Sequence, residues 1–449
     1  MTGTALIYGL ALSGRALAQQ LVRRGWRVLA ADDAPNPAKK SLARGFGAEL
    51  LPTPDDEALA ALVRQADILC PAPGVPETHP VIGAALAAGT PIRTEIDLAY
   101  MWEQERAEGP RPMLAVTGTD GKTTTTFLAA HMLAAAGRRP AAVGNTEVPL
   151  AAALDDDVDC FVVECSSFRL NWVDAFRAEA AVWLNLAPDH QNWHASMAAY
   201  EAAKARMWAH RRAGDVAIGF ADDPVVMRNL RAAGGITRTF AQTGADYHVA
   251  DGYLVGPMGR IAATAAMTRT LPHDLTNALA AAALVLESGL ATTDAVAEAL
   301  ATFRHPPHRI EPLGSFGGAR WFNDSKATSP HAALTAIRGF ERIVLLAGGR
   351  NKGLDLASLA SEAGRVKAVI GLGEAGAEVA AAFAASCPAS TADSMADAVE
   401  QAATLAGEGD VVLLSPACAS FDWYPDGGYP ARGDDFKRLV HARFGKEAP

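Results

Sequence analysis

The sequence has few cysteines, no long apolar run and no excess of positive charge, and each absence excludes a class of protein. Its 449 residues include five cysteines, scattered along the chain at Cys70, Cys160, Cys165, Cys387 and Cys418. They fit neither a disulfide framework nor a zinc site, so we expect a reducing, cytoplasmic compartment. No stretch reaches the roughly 20 apolar residues of a membrane span, and the first residues lack the basic start of a signal peptide. We therefore expect no membrane insertion.

The charge balance argues against nucleic acid as a partner. Lys and Arg number 40 against 50 Asp and Glu, for a net charge of −10. A phosphate backbone needs a surplus of cations, which this chain does not have. An anionic ligand would have to be bound by a local group of Lys, Arg, metal ions and helix N-termini. The composition, with 50% hydrophobic and 20% charged residues, is that of a globular protein.

The hydrophobic pattern alternates short apolar runs with longer helical segments, which predicts α/β layers with parallel sheets. Two segments interrupt it: the charged stretch Glu103 to Pro112, and the proline pair within His305 to Arg309. At ~150 residues per domain the length also suggests about three domains. We predict a Rossmann-like domain at 1–108, a central P-loop-type ATPase α/β domain at 109–305 and a Rossmann-like α/β domain at 306–449.

The strongest local motif is TGTDGKTT at 117–124, which follows a predicted strand and opens a predicted helix. Glycines in such a turn let backbone N–H groups approach phosphate oxygens, and the helix dipole favours the anion. Lys122 would reach the β- and γ-phosphates, and the Thr123 hydroxyl would bind Mg²⁺. The loop is shorter than a standard P-loop, and Asp120 places a negative charge in it. A glycine-rich turn without a ligand is the alternative.

Three further residues follow buried strands or lie on a helix of the central segment. Glu164 ends the strand CFVVE, where a carboxylate can bind Mg²⁺ or simply cap the strand. His190, in NLAPDHQNWH, can serve a metal or phosphate or be structural. Lys204, in YEAAKARMW, reads from sequence alone as a solvated helical lysine.

The terminal segments carry weaker signals. In the first, the turn GLALSG resembles a dinucleotide-binding turn with altered glycine spacing, and Asp32 and Asp33 end the next strand, which favours a modified nucleotide pocket. The third contains His308-Arg309, then NDSKAT at 323–328 and GGRNK at 348–352. These clusters suit anionic groups, and Arg309 could act on a γ-phosphate as an arginine finger does. Surface charges with turn glycines are the alternative.

In this order the motifs resemble those of the Mur ligase family, the ATP-dependent ligases that add amino acids to the cytoplasmic peptidoglycan precursor. The resemblance runs from Gly9 to the last helix. The signatures NDSKAT and LSPACASFD (414–422), with RGDDF downstream, are similar to those of members that join D-glutamate to UDP-N-acetylmuramoyl-L-alanine. Several positions depart from the usual pattern; among them, Asp120 stands where Asn is common, Glu147 lies in GNTE where GNIG is common, and Ser329 and Pro330 follow NDSKAT where Asn is more usual.

The resemblance implies roles that spacing does not supply. The nucleotide sugar would be bound by Leu12, Ser13, Asp32, Asp33, Pro73, Gly74, Asn145 and His190. ATP would be bound by Gly118, Thr119, Asp120, Gly121, Lys122, Thr123, Thr124, Asn277, Arg309 and Asp324. Glutamate would be bound by His308, Lys326, Thr328, Lys352, Ser420 and Tyr429. The catalytic set would be Lys122, His190, Lys204 and Arg309.

The resemblance also implies two Mg²⁺ sites, one on Thr123 and Glu164 and one near His190 and Lys204. An ammonium cannot bind Mg²⁺, so Lys204 would carry a CO₂-derived carbamate. We expect a monomer. Two alternatives stay open: a related Mur-type ligase that adds L-glutamate or another amino acid, and a nucleotide-binding regulatory or scaffold protein without catalysis. The joint presence of the loop lysine, the metal-site residues and the C-terminal cations argues against the second.

Overall fold

The first sheet of the computed structural model, which describes residues 3–52 and 54–445, is parallel. Its strands are β1 (Thr4–Tyr8), β2 (Arg27–Asp32), β3 (Leu50–Pro52) and β4 (Ile68–Pro71), in the order β3-β2-β1-β4. Five helices accompany them: α1 (Leu12–Arg23), α2 (Pro37–Gly45), α3 (Asp56–Gln65), α4 (Pro80–Ala88) and α5 (Glu95–Gln104). The strand β1 is apolar because it pairs on both sides, with β2 and β4, and is covered on both faces. This strand order is that of a Rossmann half.

The second sheet is also parallel. It contains β5 (Met113–Thr117), β6 (Pro140–Gly144), β7 (Cys160–Glu164), β8 (Ala180–Trp183), β9 (Val216–Phe220) and β10 (Ile236–Phe240), in the order β10-β9-β8-β5-β7-β6. Its helices are α6 (Lys122–Ala135), α7 (Leu150–Ala153), α8 (Ser167–Leu170), α9 (Met197–Ala205), α10 (Pro224–Ala233), α11 (Pro272–Glu287) and α12 (Thr293–Thr302). The alanine-rich middle of α11, from Ala278 to Val285, is fully buried and belongs to the core of this sheet.

A small antiparallel sheet follows β10 and was not expected from the sequence. Its strands are β11 (His248–Ala250), β12 (Tyr253–Gly256) and β13 (Gly259–Ala263). The strands have three to five residues and mixed burial, so they lack the continuous apolar run that marks the parallel strands.

The third large sheet has the order β14-β15-β19-β16-β17-β18. Its strands are β14 (Glu311–Phe316), β15 (Ala319–Asn323), β16 (Ile343–Gly348), β17 (Val366–Leu372), β18 (Ala389–Ala392) and β19 (Val411–Ala417). The helices are α13 (Pro330–Ile337), α14 (Gly376–Phe383), α15 (Met395–Leu405) and α16 (Gly428–Phe444). Only the β14–β15 pair in this sheet is antiparallel.

The chain divides into two compact units. The first two sheets and the small antiparallel sheet lie in one unit, and the third large sheet lies in the other, whose main part begins at Arg304. The α/β class with three parallel or mainly parallel sheets is confirmed. The boundaries near residues 108 and 305 stay predictions.

Two element predictions need correction. The charged stretch from Glu103 is not purely a linker, because α5 extends to Gln104 and the Glu103 carboxylate is buried against Arg111 at 2.7 Å. The hydrophobic pattern at the end of the chain predicts a last helix near Asp434 to Phe444, whereas this helix begins at Gly428. Among the described residues, no helix is both long and apolar enough to cross a bilayer.

Candidate active site

The glycine–lysine loop lies between the end of β5 and the start of α6, and neighbouring side chains hold its shape. The amide oxygen of Asn185 accepts hydrogen bonds from the backbone N–H groups of Thr119 and Asp120, both at 2.9 Å. Gly121 caps α6 with φ +83°, and a Cβ there would lie 2.7 Å from Asn277 Oδ1. The turn therefore requires glycine at this position and brings Asn277, from α11, to the loop.

Two lysines converge on one carbonyl oxygen of this loop. Lys122 Nζ donates to Gly118 O at 2.8 Å and to Thr119 O at 2.6 Å, and Lys204 Nζ donates to Gly118 O at 2.7 Å. Lys204 is only 1% exposed, so its interpretation as a solvated helical lysine is wrong. Its ammonium also lies 4.6 Å from the centroid of the Tyr200 ring. Two cations at the start of a helix form a site for an anion.

Glu164 is placed to bind a metal ion beside this loop. In the parallel ladder it is the register partner of Val116, two residues before Gly118. The carboxylate is 1% exposed; its Oε1 accepts from Asn145 Nδ2 at 3.0 Å, whereas no described residue gives Oε2 a hydrogen-bond partner. A buried, unsatisfied carboxylate oxygen is costly unless a ligand completes it.

The oxygen donors of Glu164 and Thr123 are of the kind that Mg²⁺ prefers. No group of three or more His, Cys, Asp or Glu side chains suited to a metal occurs within 3–52 and 54–445. Mg²⁺ typically takes one or two carboxylates together with phosphate oxygens and water. Glu164 and the hydroxyl of Thr123, the second residue of α6, offer such a set next to a phosphate loop.

His190 lies close to the same loop through aromatic neighbours. The centroid of its ring is 4.6 Å from that of the Phe168 ring and 6.1 Å from that of the Tyr200 ring. The Tyr200 hydroxyl is 3.1 Å from Thr119 Oγ1. Its backbone has φ +57°, an uncommon value for a residue with a side chain. His190 and Lys204 are therefore gathered around Tyr200.

A second histidine nearby connects the first two sheets. His194 is buried, and its Nδ1 is 3.3 Å from Glu77 Oε2 while its Nε2 is 2.9 Å from Ser167 Oγ. Burial lowers the pKa of His194 despite the hydrogen bond with Glu77, which acts in the opposite direction. The neutral ring is thus favoured.

Six of the predicted nucleotide-sugar residues lie at the carboxyl edge of the first sheet, whereas Asn145 and His190 follow strands of the second sheet. Burial would raise the pKa of Asp32, but hydrogen bonds from Lys39 Nζ (2.8 Å) and the N–H groups of Leu10 and Ala34 outweigh it, and its pKa is lowered. Asp33 is half-exposed and lies 3.0 Å from His79 Nε2.

The remaining residues of this set form the turns beside the sheet. The Ser13 hydroxyl accepts from Arg169 Nη2 at 2.8 Å, and Pro73 O accepts from Trp193 Nε1 at 2.9 Å. Leu12 and Gly74 are exposed.

The predicted glutamate residues lie in the second unit, on four loops and at the start of α16, and backbone hydrogen bonds connect these loops in pairs. Lys326 Nζ is 3.9 Å from the centroid of the Tyr429 ring, and the Lys326 N–H donates to His308 O at 3.1 Å. Backbone pairing of Arg350 with Ala419 joins the loop of Lys352 to that of Ser420. Thr328 is half-buried in the turn before α13. Arg309 and Asp324, predicted to contact ATP, belong to this unit as well.

The side chain of Arg432 connects two of those loops through hydrogen bonds. It is 2% exposed, donates through Nε to Ser325 Oγ at 2.9 Å, and donates through Nη2 to Ser325 O at 2.8 Å and Cys418 O at 3.1 Å. No carboxylate of the described residues pairs with it, and burial lowers its pKa to about 10.

Several of these contacts escaped the sequence prediction. Asn185, Tyr200 and Arg432 were not selected, although all three lie within motifs that were. Asn185 follows β8 at the carboxyl edge, a position that favours ligand or loop contacts. Tyr200 and the buried pair of Glu95 and Arg169 carried no signal, because their roles depend on long-range contacts.

The parallel sheets and the glycine–lysine turn between β5 and α6 are features of the phosphate-loop class of α/β proteins. Two family models match the chain: the Mur ligase middle domain over residues 116–285 and the Mur ligase, glutamate ligase domain over 308–418. The chain belongs to the Mur ligase family, which confirms the resemblance found in the sequence.

Two relatives carry the name UDP-N-acetylmuramoylalanine–D-glutamate ligase. The one from Frankia casuarinae is 42% identical and the alignment covers 98% of this chain and 94% of the relative. The one from Myxococcus xanthus is 37% identical, with 97% and 98% covered.

Solved structures share the fold. MurF from Acinetobacter baumannii superposes with a TM-score of 0.61 at 16% identity, covering 97% of this chain and 90% of that one. The UDP-N-acetylmuramate-alanine ligase MurC from Thermotoga maritima gives 0.60 at 17% identity, covering 98% and 100%.

Proposed function

We propose that this protein is an ATP-dependent ligase that joins D-glutamate to UDP-N-acetylmuramoyl-L-alanine, in the cytoplasm and as a monomer. The observation that carries the proposal is the loop at 118–122, where Lys122 and Lys204 share one carbonyl oxygen next to the unsatisfied carboxylate of Glu164. The near full-length identity to relatives that carry this name supports the choice of substrates.

In the proposed reaction the alanyl carboxylate attacks the γ-phosphorus of ATP, which gives an acyl phosphate and ADP. The glutamate amine then attacks the acyl carbon, a tetrahedral intermediate forms, phosphate leaves, and the amine loses a proton. Lys122 would leave its loop carbonyls to donate to phosphate oxygens, and Arg309 would stabilise charge on the transferred group. Mg²⁺, bound by Thr123 and Glu164, would neutralise phosphate charge.

The other assignments are proposed on the same basis. The nucleotide sugar would contact Leu12, Ser13, Asp32, Asp33, Pro73, Gly74, Asn145 and His190. ATP would also contact Gly118, Thr119, Asp120, Gly121, Thr124, Asn277 and Asp324. Glutamate would contact His308, Lys326, Thr328, Lys352, Ser420 and Tyr429.

The test is phosphate release by the purified chain. Release should require ATP, Mg²⁺, UDP-N-acetylmuramoyl-L-alanine and D-glutamate together, and should fall to background with L-glutamate. Equal phosphate release with L-glutamate, or release only when another amino acid replaces D-glutamate, would assign the related Mur-type ligase instead. Nucleotide binding without turnover under all these conditions would favour the scaffold alternative.

We further propose that Lys204 is carbamylated and contributes to a second Mg²⁺ site with His190. Its burial and its place beside the phosphate loop support this, because the carbamate would add oxygen ligands where the ammonium offers none. Labelled ¹³CO₂ should give a carbamate carbon signal that is absent in Lys204→Ala, and a small carboxylate should partly restore the activity of that variant. Wild-type activity in Lys204→Ala, or the same ¹³C spectrum for both proteins, contradicts the carbamate.

A further inference from the structure

The ring of His308, a residue predicted to contact glutamate, is held by a buried asparagine. Asn323, the last residue of β15, is fully buried, and its side-chain nitrogen Nδ2 lies 3.0 Å from His308 Nδ1. The same Nδ2 is 3.2 Å from Glu311 Oε2 and 3.2 Å from the carbonyl oxygen of Gly433. One side chain therefore connects the His308 ring with β14 and α16.

The neighbours of Asn323 determine which way its amide points. Its Oδ1 accepts a hydrogen bond from the Ser325 N–H at 3.2 Å. Burial would raise the pKa of Glu311, but hydrogen bonds from Lys437 Nζ and the His308 N–H outweigh it, and the pKa is lowered. An ionised carboxylate and a backbone carbonyl only accept hydrogen bonds. The nitrogen of the Asn323 amide must face them, because the reverse orientation would set oxygen against oxygen.

This orientation determines where His308 carries its proton. An amide nitrogen donates hydrogen bonds and does not accept them, so His308 Nδ1 must be the acceptor in the contact with Asn323. The proton of the neutral imidazole is then on Nε2. This nitrogen lies 3.7 Å from Asp434 Oδ1, beyond hydrogen-bonding distance, and the Asp434 side chain is 72% exposed. The Nε2 end of the ring thus faces an exposed side chain, whereas the Nδ1 end is buried against Asn323.

Gly433 allows the ring to lie this close to α16. A Cβ at this position would lie 2.2 Å from His308 Nδ1 and 2.9 Å from its Cε1, so any other residue would displace the ring. Glycine is a poor helix former, yet Gly433 lies inside α16. The close approach of the ring is a physical reason for glycine in the RGDDF motif.

A second donor predicted to contact glutamate lies near the same ring. The planes of the His308 and Tyr429 rings are at 78°, and their centroids are 6.1 Å apart. Lys326 Nζ lies 3.9 Å from the centroid of the Tyr429 ring. The imidazole and the ammonium therefore border one aromatic side chain, and two such donors suit a carboxylate.

We propose that Asn323 and Gly433 are positioning residues that hold His308 in the Nε2–H tautomer, so that His308 donates a hydrogen bond to a carboxylate of glutamate. In this state Asn323 occupies the lone pair of Nδ1 and Nε2 carries the proton, so the ring has no free lone pair. His308 is therefore not the base that takes the proton from the glutamate amine. This inference rests on the proposed function and deepens it, because it assigns the donor and the acceptor in one glutamate contact.

The first test is the protonation of the His308 ring in the wild-type chain. Long-range ¹H–¹⁵N spectra of the full chain, labelled with ¹⁵N in its histidine rings and kept at neutral pH, distinguish protonated from unprotonated ring nitrogens. The signals missing in His308→Gln identify this ring. We expect an unprotonated Nδ1 and a protonated Nε2, both without ligand and with saturating D-glutamate. A protonated Nδ1, alone or together with a protonated Nε2, overturns the inference.

Asn323→Ala removes the donor that holds this tautomer. Glu311 Oε2 lies 3.9 Å from His308 Nδ1, so the proton should move to Nδ1 in a measurable fraction of the molecules. KM for D-glutamate should rise about tenfold, the scale expected for losing a hydrogen bond to a charged group. The wild-type tautomer in this variant would show that Asn323 does not hold the ring, and would overturn the inference.

Gly433→Ala displaces the ring but leaves Asn323 in place, and alanine favours the helix more than glycine does. KM for D-glutamate should rise about tenfold, whereas KM for ATP and for the nucleotide sugar should change by less than about threefold. Gly83→Ala is the matched control, because Gly83 lies in α4 with open space around its Cβ position, and it should match wild type. An unchanged KM for D-glutamate in Gly433→Ala, or an equal rise in all three KM values, contradicts the proposal.

The ring spectrum is measured without turnover, so its outcome is separate from that of the proposed function. A wild-type chain that releases no phosphate with both substrates present rejects the proposed function and the glutamate contact with it. A protonated Nδ1 in an active wild-type chain rejects this inference alone.

Discussion

Lys122 in the central loop and Arg432 in the second unit are both bonded to backbone carbonyl oxygens, yet their bonds span very different lengths of chain. Lys122 donates to residues three and four positions away. Arg432 donates to Ser325, 107 positions away, and to Cys418. Lys122 is only partly buried, whereas Arg432 is 2% exposed.

The difference separates a cation that is available for a ligand from a cation that holds a fold. Local bonds of a partly exposed ammonium add little to tertiary stability, so Lys122 can exchange them for phosphate oxygens at small cost. The bonds of Arg432 join distant loops and satisfy buried acceptors, which are expensive to leave unpaired. We therefore expect substitution of Lys122 to remove activity, and substitution of Arg432 to remove stability first.

Lys122→Ala should give the largest effect. We expect phosphate release to fall about 10³-fold, the scale seen when one donor to a developing anion is removed. The thermal unfolding midpoint should stay close to wild type, because only local bonds are lost. Activity within tenfold of wild type would show that Lys122 does not act on the phosphates.

Arg432→Met should reverse this pattern. The two acceptors of Ser325 and the carbonyl of Cys418 would stay buried, with a loss of about 2–3 kcal/mol in stability. The free energy of unfolding is measured by urea titration, with hydrogen exchange used to follow the second unit. KM for glutamate should also rise, because the loops that carry the predicted glutamate residues would be less well held. Stability equal to wild type would mean that these acceptors find other partners.

Gly121→Ala should affect both activity and stability, each to a smaller extent. The left-handed φ alone costs about 1 kcal/mol, and the methyl group would also press on Asn277. Gly137→Ala is the matched control, because Gly137 has φ +79° and open space around its Cβ position. Gly121→Ala should lose more stability than Gly137→Ala because of this contact, and only Gly121→Ala should raise KM for ATP. An equal rise in KM for ATP in both would refute the contact.

The smallest expected effect is the pH dependence conferred by Asp32. Its pKa is lowered in the folded state, so its stabilisation is present above the ordinary value and is lost as the pH falls through the folded pKa. Asp32→Asn should cost about 1 kcal/mol at pH 7 and progressively less below about pH 4. Urea midpoints across this range measure it, and Lys39→Met should weaken the same dependence. A cost independent of pH would contradict this assignment.

The sequence was sufficient for the parts of the molecule that depend on short stretches of chain. The buried strands, the glycine–lysine turn and the placement of Glu164 at a strand end follow from apolar runs and strand-to-turn boundaries. It could not predict the burial of Lys204, because YEAAKARMW carries no sign of what packs over it. Glu95 and Arg169 are 74 residues apart in the sequence, so their pairing leaves no local pattern.

Buried polar bonds cross the boundary between the first two sheets, beside an apolar cluster that the two share. Asp97 alone accepts backbone N–H bonds from Asp174, Ala175 and Phe176, and Glu77 binds His194 and Ala195 on the other element. These contacts form only when matching residues are present on both modules. A chimera that imports the first module of a distant relative would have to import matching residues on both sides, so these two modules are expected to evolve as one inherited block.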